Sequence, residues 1–293
     1  MILAHSLEEL RIAVGASRRS GGVIGFVPTM GFLHEGHLSL VDVARDAGAT
    51  FVIVSTFVNP TQFGPSEDFT RYPRNEERDR SLLESRGVEL LFHPELQEVY
   101  PPGFATAIRV EGVSGPLEGQ RRPGHFEGVA TIVLKLLNMV QPDIAVFGRK
   151  DAQQCAVLLQ MVKDLNVPVR LLFADTVREG DGLALSSRNS YLSAEERKAA
   201  PLLYRALRAG QNAVIQGIYD GRAIEELMRK SVADTSGVVV DYLVVVDPLT
   251  FESPADFHRD LLVAGAMRIG STRIIDNLFI ARSEISHANL SAR

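Results

Sequence analysis

The chain has 293 residues, 45% of them hydrophobic, one cysteine, and 36 acidic against 31 basic side chains, for a net charge of -5. That length supports one large or two modest domains, and the acidic balance gives no overall electrostatic footprint for nucleic acid. No apolar run approaches the roughly 18 residues that span a bilayer, and Cys155 alone permits no internal disulfide. The acidic opening MILAHSLEEL does not read as a secretion signal, so a cytoplasmic location is expected.

Ser6-Leu7-Glu8-Glu9 has the form of a capping box, which predicts a first helix to about Ser17, ended by Gly21 and Gly22. Val23 to Val27 reads as a buried strand that Pro28 should stop. A turn carrying Gly31, His34, Gly36 and His37 then opens an amphipathic helix ending near Gly48. Thr50 to Phe57 is a second buried strand, followed by Asn59-Pro60-Thr61-Gln62. A helix from Glu76 to Arg86, closed by Gly87, precedes a strand at Val88 to Phe92. Pro94 to Gly103 and Gly112 to Gly128 read as loops around a short strand, Thr106 to Val110, and the second loop holds Arg121, Arg122 and His125. Val129 to Val140 is an apolar helix, Ile144 to Phe147 a strand, Asp151 to Leu165 a helix and Val167 to Phe173 a strand. Alternation this regular predicts an α/β fold, a Rossmann-like doubly wound parallel sheet with helices on both faces.

The pattern changes after Ala174. A polar stretch leads to a second capping box at Ser193 to Glu196, helices to about Gly217, a helix at Ile224 to Ser231, and strands at Val238 to Val246, Leu261 to Ala266 and Thr272 to Asp276. This predicts a smaller α+β domain, dividing the chain into residues 1–175 and 176–293.

Three words carry chemistry. His34-Glu35-Gly36-His37 sits on a strand-to-helix turn, where free N–H groups and the helix dipole favour an anion, and Gly36 lets a phosphate or adenine approach the backbone. Histidines that merely cap the helix or face solvent are the bland alternative. A zinc-protease site is weaker, since its ligands stand at i and i+4 rather than i and i+3. Phe147-Gly148-Arg149-Lys150-Asp151 repeats the strand–glycine–helix logic: Lys150 suits phosphate, while Asp151 suits either helix capping or a ribose hydroxyl. Leu183-Ala184-Leu185-Ser186-Ser187-Arg188 offers two hydroxyls, backbone N–H groups and a guanidinium to triphosphate oxygens, or forms a solvated turn. Asn59, Gln62 and Gln154 are neutral amides able to hold a small hydroxy acid, and Cys155, amid apolar neighbours, reads as a buried structural thiol.

Taken together, PTMGFLHEGH, FVNPTQF, RYPR, RPGHFEGVATIV, FGRKDAQQ, DGLALSSRNSYLS, DYLVVVDP and RIGSTRIIDN resemble, in order and over nearly the whole chain, the pantoate–β-alanine ligase (pantothenate synthetase) family of the HxGH nucleotidylyltransferase superfamily. The resemblance implies an ATP-dependent ligase that joins pantoate to β-alanine through pantoyl adenylate, releasing pyrophosphate and then AMP. It implies a homodimer, with the second domain closing over the active site. By the same resemblance His34 and His37 face the α-phosphate, and Lys150 and Arg188, with Ser186 and Ser187, steady the outer phosphates. Met30, Gly31, Gly36, Gly148, Asp151, Val177 and Leu185 frame the nucleotide; Gln62 and Gln154, with Asn59 and Arg122, hold pantoate. Mg²⁺ is expected to arrive on ATP phosphates rather than in a protein cage. Arg149, Ala152 and Arg78 depart from the family pattern, the last leaving Glu76, Glu77 and Asp79 of an acidic cluster. Two other functions stay open: a nucleotidylyltransferase acting on a phosphorylated acceptor, and a nucleotide-binding module without catalysis. None of the three calls for nucleic acid or membrane.

Overall fold

The computed structural model describes residues 1–233 and 235–286. The chain forms two compact units: Met1–Arg149 with Gln154–Val177, and Lys150–Gln153 with the described residues between Arg178 and Ser286.

The first unit is built on six parallel strands, β1 (Ile2–Ala4), β2 (Ile24–Thr29), β3 (Phe51–Thr56), β4 (Leu90–Phe92), β5 (Ile144–Gly148) and β6 (Arg170–Ala174), in the order β1-β4-β3-β2-β5-β6. Its helices are α1 (Leu7–Arg19), α2 (Glu35–Asp46), α3 (Glu76–Ser85), the short α4 (Leu96–Val99) and α5 (Glu118–Arg121), α6 (His125–Val140) and α7 (Ala152–Asp164). Strands buried on both faces explain the continuous apolar runs. Val27, Val52, Val54, Leu91 and Val146 face one layer with Leu38, Val41 and Leu83 of α2 and α3. Ile24 and Phe26, also fully buried, face the opposite layer, where α1 and α6 pack together and against β2. Each such side chain contributes on the order of 1.5–3 kcal/mol by leaving water.

The strand order reverses between β2 and β5, the place where open α/β sheets take ligands at their carboxyl ends. Both strand-to-helix words of the sequence lie there.

Several local expectations are corrected. Pro28 does not stop β2, which runs through it to Thr29. Thr29 accepts from Phe57 N–H on the β3 side, so Pro28 directs its missing N–H toward β5, whose pairing with β2 has already ended at Phe26. Thr106 to Val110 forms no strand; Ile108 N–H is held at 2.8 Å by the Thr131 hydroxyl instead of a ladder partner. The Gly112 to Gly128 stretch is not all loop: Arg121 ends α5 and His125 opens α6. β1 escaped the sequence reading because three residues carry too little pattern.

The second unit is an antiparallel sheet, β7 (Val238–Val246), β8 (Leu261–Ile269) and β9 (Thr272–Ile280), in that order. α9 (Leu202–Ile215) and α10 (Gly221–Lys230) bury Leu203, Leu207, Val214, Ile224 and Met228 against Leu243, Val263 and Met267. α8 (Ala194–Ala199) precedes them with its capping box formed, Ser193 and Glu196 exchanging hydrogen bonds, and α11 (Arg282–Ser286) follows β9.

Candidate active site

The loop from β2 to α2 is tied down by Asp79, a buried carboxylate on α3. It accepts Phe32 N–H at 2.6 Å and Leu33 N–H at 2.7 Å, while Thr29 Oγ1 accepts Gly31 N–H at 3.1 Å. Gly31 has φ +82°, a conformation suited to glycine, and a Cβ there would sit 3.1 Å from Asp79 Oδ2. Burial pushes the Asp79 carboxyl above its ordinary range, against the pull of the two N–H groups. Asp79, one of the acids left in the cluster that Arg78 dilutes, is therefore committed to the loop. Among the described residues no three His, Cys, Asp or Glu side chains converge as they would on a metal ion.

This loop delivers His34 as the N-cap of α2 and His37 one turn in. Their ring centroids are 4.0 Å apart at 33°, and His34 N–H donates to His37 Nδ1 at 3.4 Å. A His37 ring that accepts at Nδ1 carries its neutral-state proton on Nε2, leaving that atom a donor.

Past β3, Pro60–Gln62 forms a 3₁₀ turn capped by Asn59. Asn59 is 1% exposed and engaged on every side: Oδ1 accepts from Thr61 Oγ1 and Tyr100 Oη, and Nδ2 donates to Gly128 O at 3.2 Å and Gln62 Oε1 at 3.1 Å. With its Oε1 so occupied, Gln62 turns its amide nitrogen to Met30 Sδ at 3.0 Å. Asn59 thus orients Gln62. Arg122 reaches the same turn from the end of α5. It binds Glu67 through Nε at 2.7 Å and Nη2 at 2.8 Å, and lies 3.5 Å from Gln62 O. Burial alone would raise the Glu67 carboxyl, but Arg122, helped by the Gly64 N–H, outweighs it and holds the group below its ordinary value.

His125 completes this cluster. A carbonyl only accepts and a guanidinium only donates, so its Nδ1–H must donate to Gln62 O at 2.9 Å while Nε2 accepts from Arg122 Nη1 at 2.9 Å. The ring is buried and neutral: desolvation and the Arg122 charge bring its pKa down from 6.5 to about 4.

Gln154 stands apart, half-buried on α7 and sharing no hydrogen bond with Gln62 or Asn59 among the described residues. Gly148 ends β5 with open space where a Cβ would be, its carbonyl accepting from the buried Cys155 thiol at 3.4 Å. Val177 follows β6, half-buried. Arg149 turns outward to Phe173 O at 3.1 Å and Asp175 at 3.5 Å, and Ala152 is half-buried at the start of α7.

In the second unit, Lys150 Nζ lies 3.5 Å from Asp151 Oδ1. Leu185 and Ser186 lead into a 3₁₀ turn, Ser187–Tyr191, in which Ser186 Oγ accepts Arg188 N–H at 3.3 Å and Ser187 is buried. The turn follows a small hairpin closed by the Arg178–Ala184 bridge.

The sequence words located the loops but missed the residues that shape them: Asp79, Glu67, His125 as a Gln62 partner, and Gly128. A Cβ on Gly128 would lie 2.7 Å from Gln62 N, and the sequence pattern, which ends a loop at Gly128, carries no signal of that approach.

The Pantoate-beta-alanine ligase family model matches residues 2–279. A pantothenate synthetase of Herpetosiphon aurantiacus is 52% identical over 279 residues, covering 95% of this chain and 99% of the relative. A pantothenate synthetase crystal structure from Thermus thermophilus aligns with TM-score 0.90 at 48% identity, covering 95% of this chain and 99% of that one. The Francisella tularensis pantoate-beta-alanine ligase, solved with beta-gamma ATP and beta-alanine, aligns with TM-score 0.79 at 32% identity over 97% and 98% of the two chains. The chain belongs to the pantoate-beta-alanine ligase family.

Proposed function

We propose that the protein condenses pantoate with β-alanine, using ATP and passing through pantoyl adenylate. The observation that carries the proposal is the pair of closely apposed imidazoles at the start of α2, beside the reversal of strand order, with the Gln62 amide fixed next to Met30 at the end of β2.

In the first step a pantoate carboxylate oxygen attacks the α-phosphorus and the bond to pyrophosphate breaks. His34 and His37 donate to the oxygens on which charge grows, as the dipole of α2 also favours. Lys150, Arg188, Ser186 and Ser187 take the outer phosphates, and Met30, Gly31, Gly36, Gly148, Asp151, Val177 and Leu185 frame the nucleotide. Mg²⁺ on the phosphates would neutralise part of the leaving charge. Gln62 and Gln154 hold pantoate; neutral amides bind its carboxylate without quenching the nucleophile. In the second step the β-alanine amine attacks the adenylate carbonyl, the C–O bond to AMP breaks, and the amine loses a proton. The homodimer and cytoplasmic location carried by the family belong to the same proposal.

The test is pyrophosphate release from ATP with pantoate alone, followed by AMP release only when β-alanine is added. Pyrophosphate formed with a phosphorylated acceptor but not with pantoate would select a nucleotidylyltransferase instead.

A further inference from the structure

Lys150 is held weakly through its own side chain. Its ammonium meets Asp151 at 3.5 Å, and Asp151 is 45% exposed, so the contact is a surface pair of small worth. The residue sits in a three-residue 3₁₀ turn, Arg149–Asp151, a conformation whose hydrogen bonds hold the backbone less firmly than those of an α-helix. A four-carbon stem on such a turn leaves the charge ill placed unless the backbone is fixed from elsewhere.

That fixation comes from β9. Asn277 Nδ2 donates to the Lys150 carbonyl at 2.9 Å. Asn277 is itself set by the neighbouring ion pair. Arg178 binds both oxygens of Asp276, at 2.5 and 2.9 Å, and donates to Asn277 O at 3.2 Å; Asp276 Oδ1 in turn accepts Asn277 N–H at 2.8 Å. Arg178 is further seated over the Tyr204 ring, 4.5 Å from its centroid, and on Gly182 O at 3.1 Å. Asp276 and Asn277 are both buried. A buried ion pair is often no more stabilising than an apolar substitute, so this one calls for a positional role.

We propose that Asn277, oriented by the Arg178–Asp276 pair, is the positioning residue for Lys150 and sets where the lysine charge meets the ATP phosphates. The inference rests on the role given to Lys150 above. Asn277 touches the Lys150 backbone and acts through it.

The test is a double-mutant cycle with Asn277→Ala and Lys150→Ala, read on pantoate-dependent pyrophosphate release and on ATP affinity by titration calorimetry. Asn277→Ala in the otherwise native enzyme should lower kcat for adenylation by about 10- to 100-fold, the scale of misplacing a catalytic group by an ångström. In the Lys150→Ala background the same substitution should change either readout by less than about 3-fold, because coupled residues are non-additive. Equal losses in both backgrounds would assign Asn277 a merely structural role and overturn the proposal. Should Asn277→Ala fail to fold, Asn277→Ser carries the same cycle. A native enzyme that binds ATP yet releases no pyrophosphate with pantoate would sink the proposed function, while the affinity cycle alone would still decide the role of Asn277.

Discussion

Acidification should destabilise the first unit through His125, by an amount the structure sets. Its ring donates to a carbonyl and accepts from a guanidinium, so the folded state has no place for a second ring proton. The folded pKa is about 4 against 6.5 for an exposed imidazole. Between those values the unfolded chain binds the proton and the folded chain does not, so stability rises with pH across that window and is lost as pH falls through it. The full loss is about 3 kcal/mol, of which about 2 kcal/mol falls between about pH 7 and pH 5. Carboxylates titrate in the same range, so the assay is a comparison: urea unfolding of the native protein and of His125→Asn at a series of pH values. Asparagine at this position keeps a donor near Gln62 O but cannot titrate. The variant should be less stable at about pH 7, and its stability should decline less steeply toward about pH 5, by about 2 kcal/mol over the interval. Parallel curves for the two proteins would refute the neutral, doubly bonded ring.

The other predictions concern the site directly. His37→Ala should lower the adenylation rate by on the order of 10² to 10³, the usual scale for one lost donor to transition-state charge, in pre-steady-state pyrophosphate release; near-native turnover of a folded variant would remove it from that role. Gln62→Ala should act mainly by raising the KM for pantoate, leaving that for ATP close to native, and an unchanged pantoate dependence would refute the assignment. Gly128→Ala drives a methyl into the Thr61–Gln62 backbone and should cost about 1–3 kcal/mol in chemical unfolding while also raising the pantoate KM. Native-like values for both would show that the turn yields freely.

The sequence alone determined the parallel α/β alternation, the capped helix starts at Ser6 and Ser193, the antiparallel tail, and the loops that carry the HxGH word, Lys150 and Arg188. These rest on near-neighbour chemistry: hydrophobic period, caps and glycine turns are written within a few residues of where they act. What sequence periodicity could not supply was any partnership across the chain. Pro28 survives inside β2 because β5 has already left that edge, which depends on strand order. Asn59 is buried and orients Gln62, and Asp79, which the sequence showed only as one acid of a diluted cluster, holds the HxGH loop. His125 is neutral because burial and the charge of Arg122, both supplied by other elements, disfavour its second proton, and Asn277 meets Lys150 from 127 positions away. Tertiary structure decided these matters because a buried polar side chain takes its role from whichever partner folding brings within hydrogen-bond distance, and desolvation makes that choice costly to leave unfilled.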